Sequence, residues 1–151
     1  MLECLRDLRE GEADTLKRFG AIVDAVQDPG TLAALQQRLT DARHRADSLD
    51  ALGKALDTDP RGEANVWMRG MVDDAEGDMQ TEEPGPLLDL ALIGAVRKMV
   101  NASLVSYETA VAVADRLGNA EASAVFQAAR QQEQSAEQAL RAALFAVAAA
   151  R

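Results

Sequence analysis

Two glutamates, Glu12 and Glu133, stand in the middle of apolar helical stripes, and those stripes leave few folds open to the chain. Around Glu12 the apolar positions are Leu5, Leu8, Leu16, Phe19, Val23 and Val26. Around Glu133 they are Ala122, Phe126, Ala129, Ala136, Leu140, Leu144 and Val147. Both series advance by threes and fours, the period of an amphipathic helix. At about 100° per residue each glutamate points inward with its stripe. A buried carboxylate is costly unless it is paired, protonated or bound to a metal. Helix bundles use inward glutamates to build carboxylate di-metal sites, which also require further inward carboxylates and two histidines. This chain has one histidine, His44.

The rest of the chain is as helical in pattern. Apolar residues make up 48% and aromatic residues 3%, with abundant alanine and short β-branched runs. That balance favours closely packed helices over a sheet. A first helix is expected from Leu2 to Gln27, broken by Asp28-Pro29-Gly30. Thr31 is a suitable cap for a second, from Leu32 to Leu56, with the stripe Leu32, Leu35, Leu39, Ala42, Ala46, Leu49, Leu52 and Leu56. A short helical segment from Ala64 to Asp78 carries Trp67, Met68, Met71, Val72 and Ala75 on one side. After the loop Glu82-Glu83-Pro84-Gly85-Pro86, a third long helix spans Leu87 to Leu117 and is apolar nearly all round. Gly118-Asn119 turns the chain into a fourth, from Ala120 to the end.

Two hairpins joined by a long connection with its own short helix imply that the second and third long helices run parallel. That is the ferritin-like arrangement of a four-helix bundle with one crossover. The fold class is therefore all-α, a single domain over residues 1–151. The second hairpin repeats the plan of the first: Ala122, Phe126, Ala129 and Glu133 fall where Leu35, Leu39, Ala42 and Ala46 do, and Met99 falls where Glu12 does.

Hairpin geometry brings Glu12 level with Ala46 and Glu133 level with Ser103, to within about a turn. The two carboxylates can then meet near mid-bundle. Candidate partners are Arg43, Arg45, Thr15, Ser106 and Tyr107. Without a cation between them, two inward carboxylates raise each other's pKa. If they are uncompensated, replacing both by glutamine or leucine should raise stability. Asp41-Ala42-Arg43-His44 resembles a shortened Glu-x-x-His motif. Yet His44 lies about 160°, and Asp41 about 100°, around the helix from the seam residue Ala42, so both point outward. The third long helix has no Asp or Glu from Leu90 to Tyr107, and the fourth has no histidine. No metal ligand set and no catalytic set results; Glu12 and Glu133 are the vestigial candidates, and no cofactor is expected. Iron or manganese enters only under the alternative of a residual di-metal carboxylate protein. A third reading is an apolar small-molecule carrier anchored by one of the two glutamates.

Charge and segments exclude further classes. There are 16 basic and 25 acidic residues, a net charge of −9, which repels nucleic acid and anionic lipid. Cys4 is the one cysteine, so no internal disulfide forms. No signal-peptide pattern opens the chain and no run of about 18 apolar residues follows, so a cytoplasmic protein off the membrane is expected. Trp67, Met68, Met71 and Val72 either cap the bundle's own core or dock a partner, and a homodimer is the expected assembly. Its reason is the third helix, whose apolar faces need cover on all sides.

Ala91-Leu92-Ile93 through Ser106-Tyr107 to Arg116-Leu117-Gly118 resembles the second half of the YciF-like bacterial stress proteins, a branch of the ferritin-like superfamily. Trp67-Met68-Arg69-Gly70-Met71-Val72-Asp73-Asp74-Ala75 resembles that family's crossover helix, and Glu12 falls at its first acidic ligand position. The resemblance implies the ferritin-like fold and a stress-related context. It also implies lost metal ligands, since acidic positions of the family are Met99-Val100-Asn101-Ala102-Ser103 and Leu39-Thr40-Asp41-Ala42-Arg43 here, with Gln131-Gln132-Glu133-Gln134 retaining one acid. The function expected is that of a non-catalytic structural or protein-interaction bundle with a degenerate metal site.

Overall fold

Pro29, Pro86 and Asn119 set where the long helices begin. The computed structural model describes residues 1–150. It contains α1 (Leu2–Ala25), α2 (Pro29–Ala55), α3 (Val66–Thr81), α4 (Pro86–Arg116) and α5 (Ala120–Ala149). Proline at the first helical position has its φ already set and no N–H to leave unpaired. For that reason α2 starts at Pro29, three residues ahead of the Leu32 expected from the apolar stripe. Asp28 rather than Thr31 is its cap: Asp28 Oδ2 accepts from Thr31 N at 2.7 Å and from Thr31 Oγ1 at 2.8 Å. Asn65 and Asn119 cap α3 and α5 in the same way, each accepting a backbone N–H three residues on at 2.9 Å. Gly118, at φ 69°, makes the tight turn from α4 into α5, a conformation glycine adopts without steric cost.

The four long helices close into a bundle in which α1 packs on α2 and α4, and α5 packs on α2 and α4. Direction follows from the core. Leu35 of α2 and Leu88 and Leu92 of α4 share one half of it, with Phe19, Ile22 and Leu140. Leu49 and Leu52 of α2 and Ala110 and Ala114 of α4 share the other, with Leu5, Leu8 and Phe126. So α2 and α4 run parallel across the diagonal, as the long crossover requires.

The crossover helix α3 lies against α1 and α4. Its Met68, Val72 and Ala75 are fully buried and join the first half of the core, while Trp67 and Met71 are half-buried. Two close approaches anchor the connection. Gly53 lets Pro60 pack on α2, where a Cβ would meet the proline ring at 2.8 Å. Asn65 Nδ2 donates to Asp7 O and Asp7 Oδ1, both at 3.0 Å. Asp89, buried in the first turn of α4, accepts the backbone N–H groups of Gln27 and Asp28, each at 2.9 Å, and ties the α1–α2 turn to α4. Among the described residues no helix is long and apolar enough to cross a membrane.

Candidate functional site

The two halves of the core are separated by a layer of buried charge. Glu12 from α1, Arg38 and Arg45 from α2, Tyr107 from α4 and Glu133 from α5 compose it, and none is more than 4% exposed. Helix α2 delivers both arginines because its buried seam runs Leu35, Arg38, Ala42, Arg45, Leu49, Leu52, again in steps of three and four. Leu39 and Ala46, assigned to the seam from sequence, flank it; Leu39 is half-buried and Ala46 is buried.

Arg45 is the hub. Its Nε donates to Glu12 Oε1 at 2.6 Å and its Nη2 to Glu12 Oε2 at 3.0 Å, the planar fork that matches a carboxylate. The same Nη2 lies 2.9 Å from Glu133 Oε1. One guanidinium nitrogen therefore sits between both carboxylates. Tyr107 Oη donates to Glu12 Oε1 at 2.8 Å. Arg38 Nη2 donates to Glu133 Oε1 at 3.1 Å, and the Arg38 guanidinium rests over the Phe19 ring, 5.0 Å from its centroid. Two guanidiniums and two carboxylates leave the layer formally neutral.

Burial and charge act on these groups in opposite senses. Burial alone would lower the Arg45 pKa, but Glu12 and Glu133 outweigh it and hold the guanidinium firmly charged. Burial, with Glu12 adding to it, pushes the Tyr107 phenol well above its usual value, so it remains a donor. Burial raises the Glu133 carboxyl as well, against the pull of Arg38 and Arg45. Hydrogen bonding is unevenly shared. Among the described residues, Glu133 Oε2, Arg38 Nε, Arg38 Nη1 and Arg45 Nη1 are buried without a partner.

The sequence brought Glu12 and Glu133 to one level, and the structure places both there, joined through Arg45. Of the five partners considered, Arg45 and Tyr107 take part. Arg43 is exposed, because it lies on the solvent side of α2, and Ser106 is half-buried. Thr15 turns its hydroxyl to Gly11 O at 2.9 Å. Arg38 is not among the five; it joins the layer through Glu133 of α5 and Phe19 of α1. His44 is exposed, as its angle around α2 implied. Among the described residues no group of three or more His, Cys, Asp or Glu side chains is placed to hold a metal ion.

Comparison with known proteins adds a family and a fold. A family model described as Domain of unknown function (DUF892) matches residues 1–151. None of the curated proteins matches the sequence. Among solved structures, the E. coli stress protein YciF superposes with a TM-score of 0.94 at 18% identity, over 99% of this chain and 95% of that one. YcfI from Rhodopseudomonas palustris superposes with a TM-score of 0.86 at 20% identity, over 93% of each chain.

Proposed function

The chain belongs to the DUF892 family, a domain of unknown function, and we propose that it is a non-catalytic, ferritin-like member with a structural or protein-interaction role, its buried arginines standing where metal ions would be held. The observation that carries this reading is Arg45 Nη2, within 3.0 Å of Glu12 Oε2 and 2.9 Å of Glu133 Oε1. A carboxylate-bridged pair of metals needs several lone pairs free to face the cations, and two histidines. Here both oxygens of Glu12 accept from Arg45, Oε1 accepts from Tyr107 as well, and Glu133 Oε1 faces two guanidiniums. Glu133 Oε2 alone is uncommitted, and a divalent cation there would face two fixed positive charges. The donor set does not fit iron or manganese.

Protein purified after iron and manganese supplementation should carry no stoichiometric metal, and its melting temperature should be unchanged by chelator. Near-stoichiometric metal would restore the alternative of a residual di-metal protein. The likeness to a protein named as a stress protein supports a stress-related setting. Leu87 and Val105 of α4 are 72% and 64% exposed, outside the cover that α3 gives, and support a homodimer. Light scattering in dilute solution checks this, and a monomer at all concentrations rejects it.

A further inference from the structure

Among the five helices α3 buries the smallest share of its residues: three of sixteen, against twelve of thirty-one in α4. Less apolar burial therefore holds it in place. Its own sequence also resists the helix. Gly70 and Gly77 stand in its interior with nothing within 4 Å of where a Cβ would be, so no close approach requires either glycine. Each lowers helix propensity relative to alanine. Asp73, Asp74, Glu76 and Asp78 crowd its C-terminal half and no base stands in its last turn, against the helix dipole. A free segment of this length and make-up would not be helical, so the bundle holds α3 in shape.

Much of that hold is polar and open to water. Along one face of α1, Asp7 accepts from Asn65 Nδ2, Asp14 Oδ2 accepts from Arg69 Nε at 3.1 Å, and Arg18 donates to Asp73 Oδ1 at 2.6 Å and to Glu76 Oε1 at 3.0 Å. The partners follow in the same order on both helices, so α3 runs parallel to α1. On the other side Lys98 Nζ of α4 donates to Asp74 Oδ2 at 3.3 Å. The side chains of Arg69, Asp73, Asp74 and Lys98 are each more than half exposed, and ion pairs in water contribute little. Residues 56–65 and 82–85, on either side, lie outside any helix, so α3 can lift without unwinding α2 or α4. We propose that α3 is a releasable strap: it opens as one unit while the four long helices stay folded, and so bares the apolar surface of α1 and α4 beneath Met68, Val72 and Ala75.

Amide hydrogen exchange of the full chain, followed by NMR in urea too dilute to unfold it, tests this. Amides of Met71, Val72 and Ala75 should share one opening free energy and exchange at least about tenfold faster than those of Val96 and Val100 in α4. Their opening should also respond to urea, but less than that of α4, because less surface is exposed. Gly70→Ala combined with Gly77→Ala should slow the α3 amides about twentyfold, the product of two glycine-to-alanine differences in propensity. Arg18→Met should speed them about threefold to tenfold. In a Cys4→Ser background a thiol reagent should modify Val72→Cys at least about tenfold faster than Val96→Cys. Equal protection of α3 and α4 overturns the proposal, because α3 would then open only with the whole bundle. So do α3 amides with separate, urea-independent openings, which would mean residue-by-residue fraying, and so does a Val72→Cys thiol modified no faster than Val96→Cys.

Discussion

Glu12 and Glu133 are equally buried, face the same arginine and differ in how completely they are hydrogen-bonded. Both oxygens of Glu12 are engaged, by the fork of Arg45 and by Tyr107. Glu133 concentrates Arg38 and Arg45 on one oxygen and leaves the other unmet among the described residues. Net charge is the same at both ends of the layer. The difference shows that charge balance and polar satisfaction are separate conditions: a neutral buried network still carries a penalty wherever a lone pair or N–H is stranded.

The largest test removes the residue both ends share. Arg45→Met strands Glu12 without its cation and halves the cover of Glu133. Urea denaturation should show a loss of about 3–5 kcal/mol, the cost of breaking a buried pair from one side. A loss under about 1 kcal/mol would mean that the layer is not held as described. Replacing both glutamates by leucine should also destabilise, because it strands two guanidiniums. That corrects the sign expected for uncompensated acids. Exchanging all four charged residues together for Met and Leu should be neutral or stabilising by about 1–4 kcal/mol.

The next test is confined to the Glu12 end. Tyr107→Phe keeps the packing and deletes one donor to a carboxylate, at about 1.5–3 kcal/mol in the same measurement. Arg38→Met probes the Glu133 end and should cost less, about 1–2 kcal/mol, because it removes one hydrogen bond and one stack on Phe19 but leaves Arg45 in place. Equal costs for Arg38→Met and Arg45→Met would erase the distinction between the two ends.

How far the sequence reached is visible in the same residues. The bundle, its parallel diagonal and the inward turn of both glutamates followed from period and connection length. Of the two arginines, Arg45 followed as a candidate partner and Arg38 did not. Arg38 and Arg45 sit at seam positions where apolar residues were sought, so a rule that reads charge as surface moved the seam of α2 sideways onto Leu39 and Ala46. An inward acid predicts an inward base at the same level, and that inference places Arg45 among the candidate partners. Arg38, a heptad away, needed the structure, because its place depends on Phe19 of α1 and Glu133 of α5 together. The Asp89 tie to the α1–α2 turn is a contact between distant segments that no local pattern encodes.

The smallest effect is on pH dependence, and it isolates the unmet oxygen of Glu133. Burial raises this carboxyl above its ordinary value of 4.5, with Arg38 and Arg45 pulling the other way. A carboxyl raised on folding is easier to protonate in the native state than in the unfolded chain. Its contribution to stability is therefore fully present below about pH 4.5 and is lost as pH rises through the folded value. Other carboxylates act with the opposite sign: Asp59, held by Arg61 down to about 2, stabilises above the unfolded value and loses that contribution on acidification. The wild-type curve alone mixes the two. Glu133→Gln removes the first and leaves the second, and the amide's NH2 cannot serve as the second acceptor for the arginines. Urea midpoints of both proteins between about pH 4.5 and pH 8 should then differ by an amount that moves in favour of the wild type as pH falls. A difference that moves in favour of Glu133→Gln over that window would mean that the two guanidiniums outweigh burial, and that Glu133 is as well satisfied as Glu12.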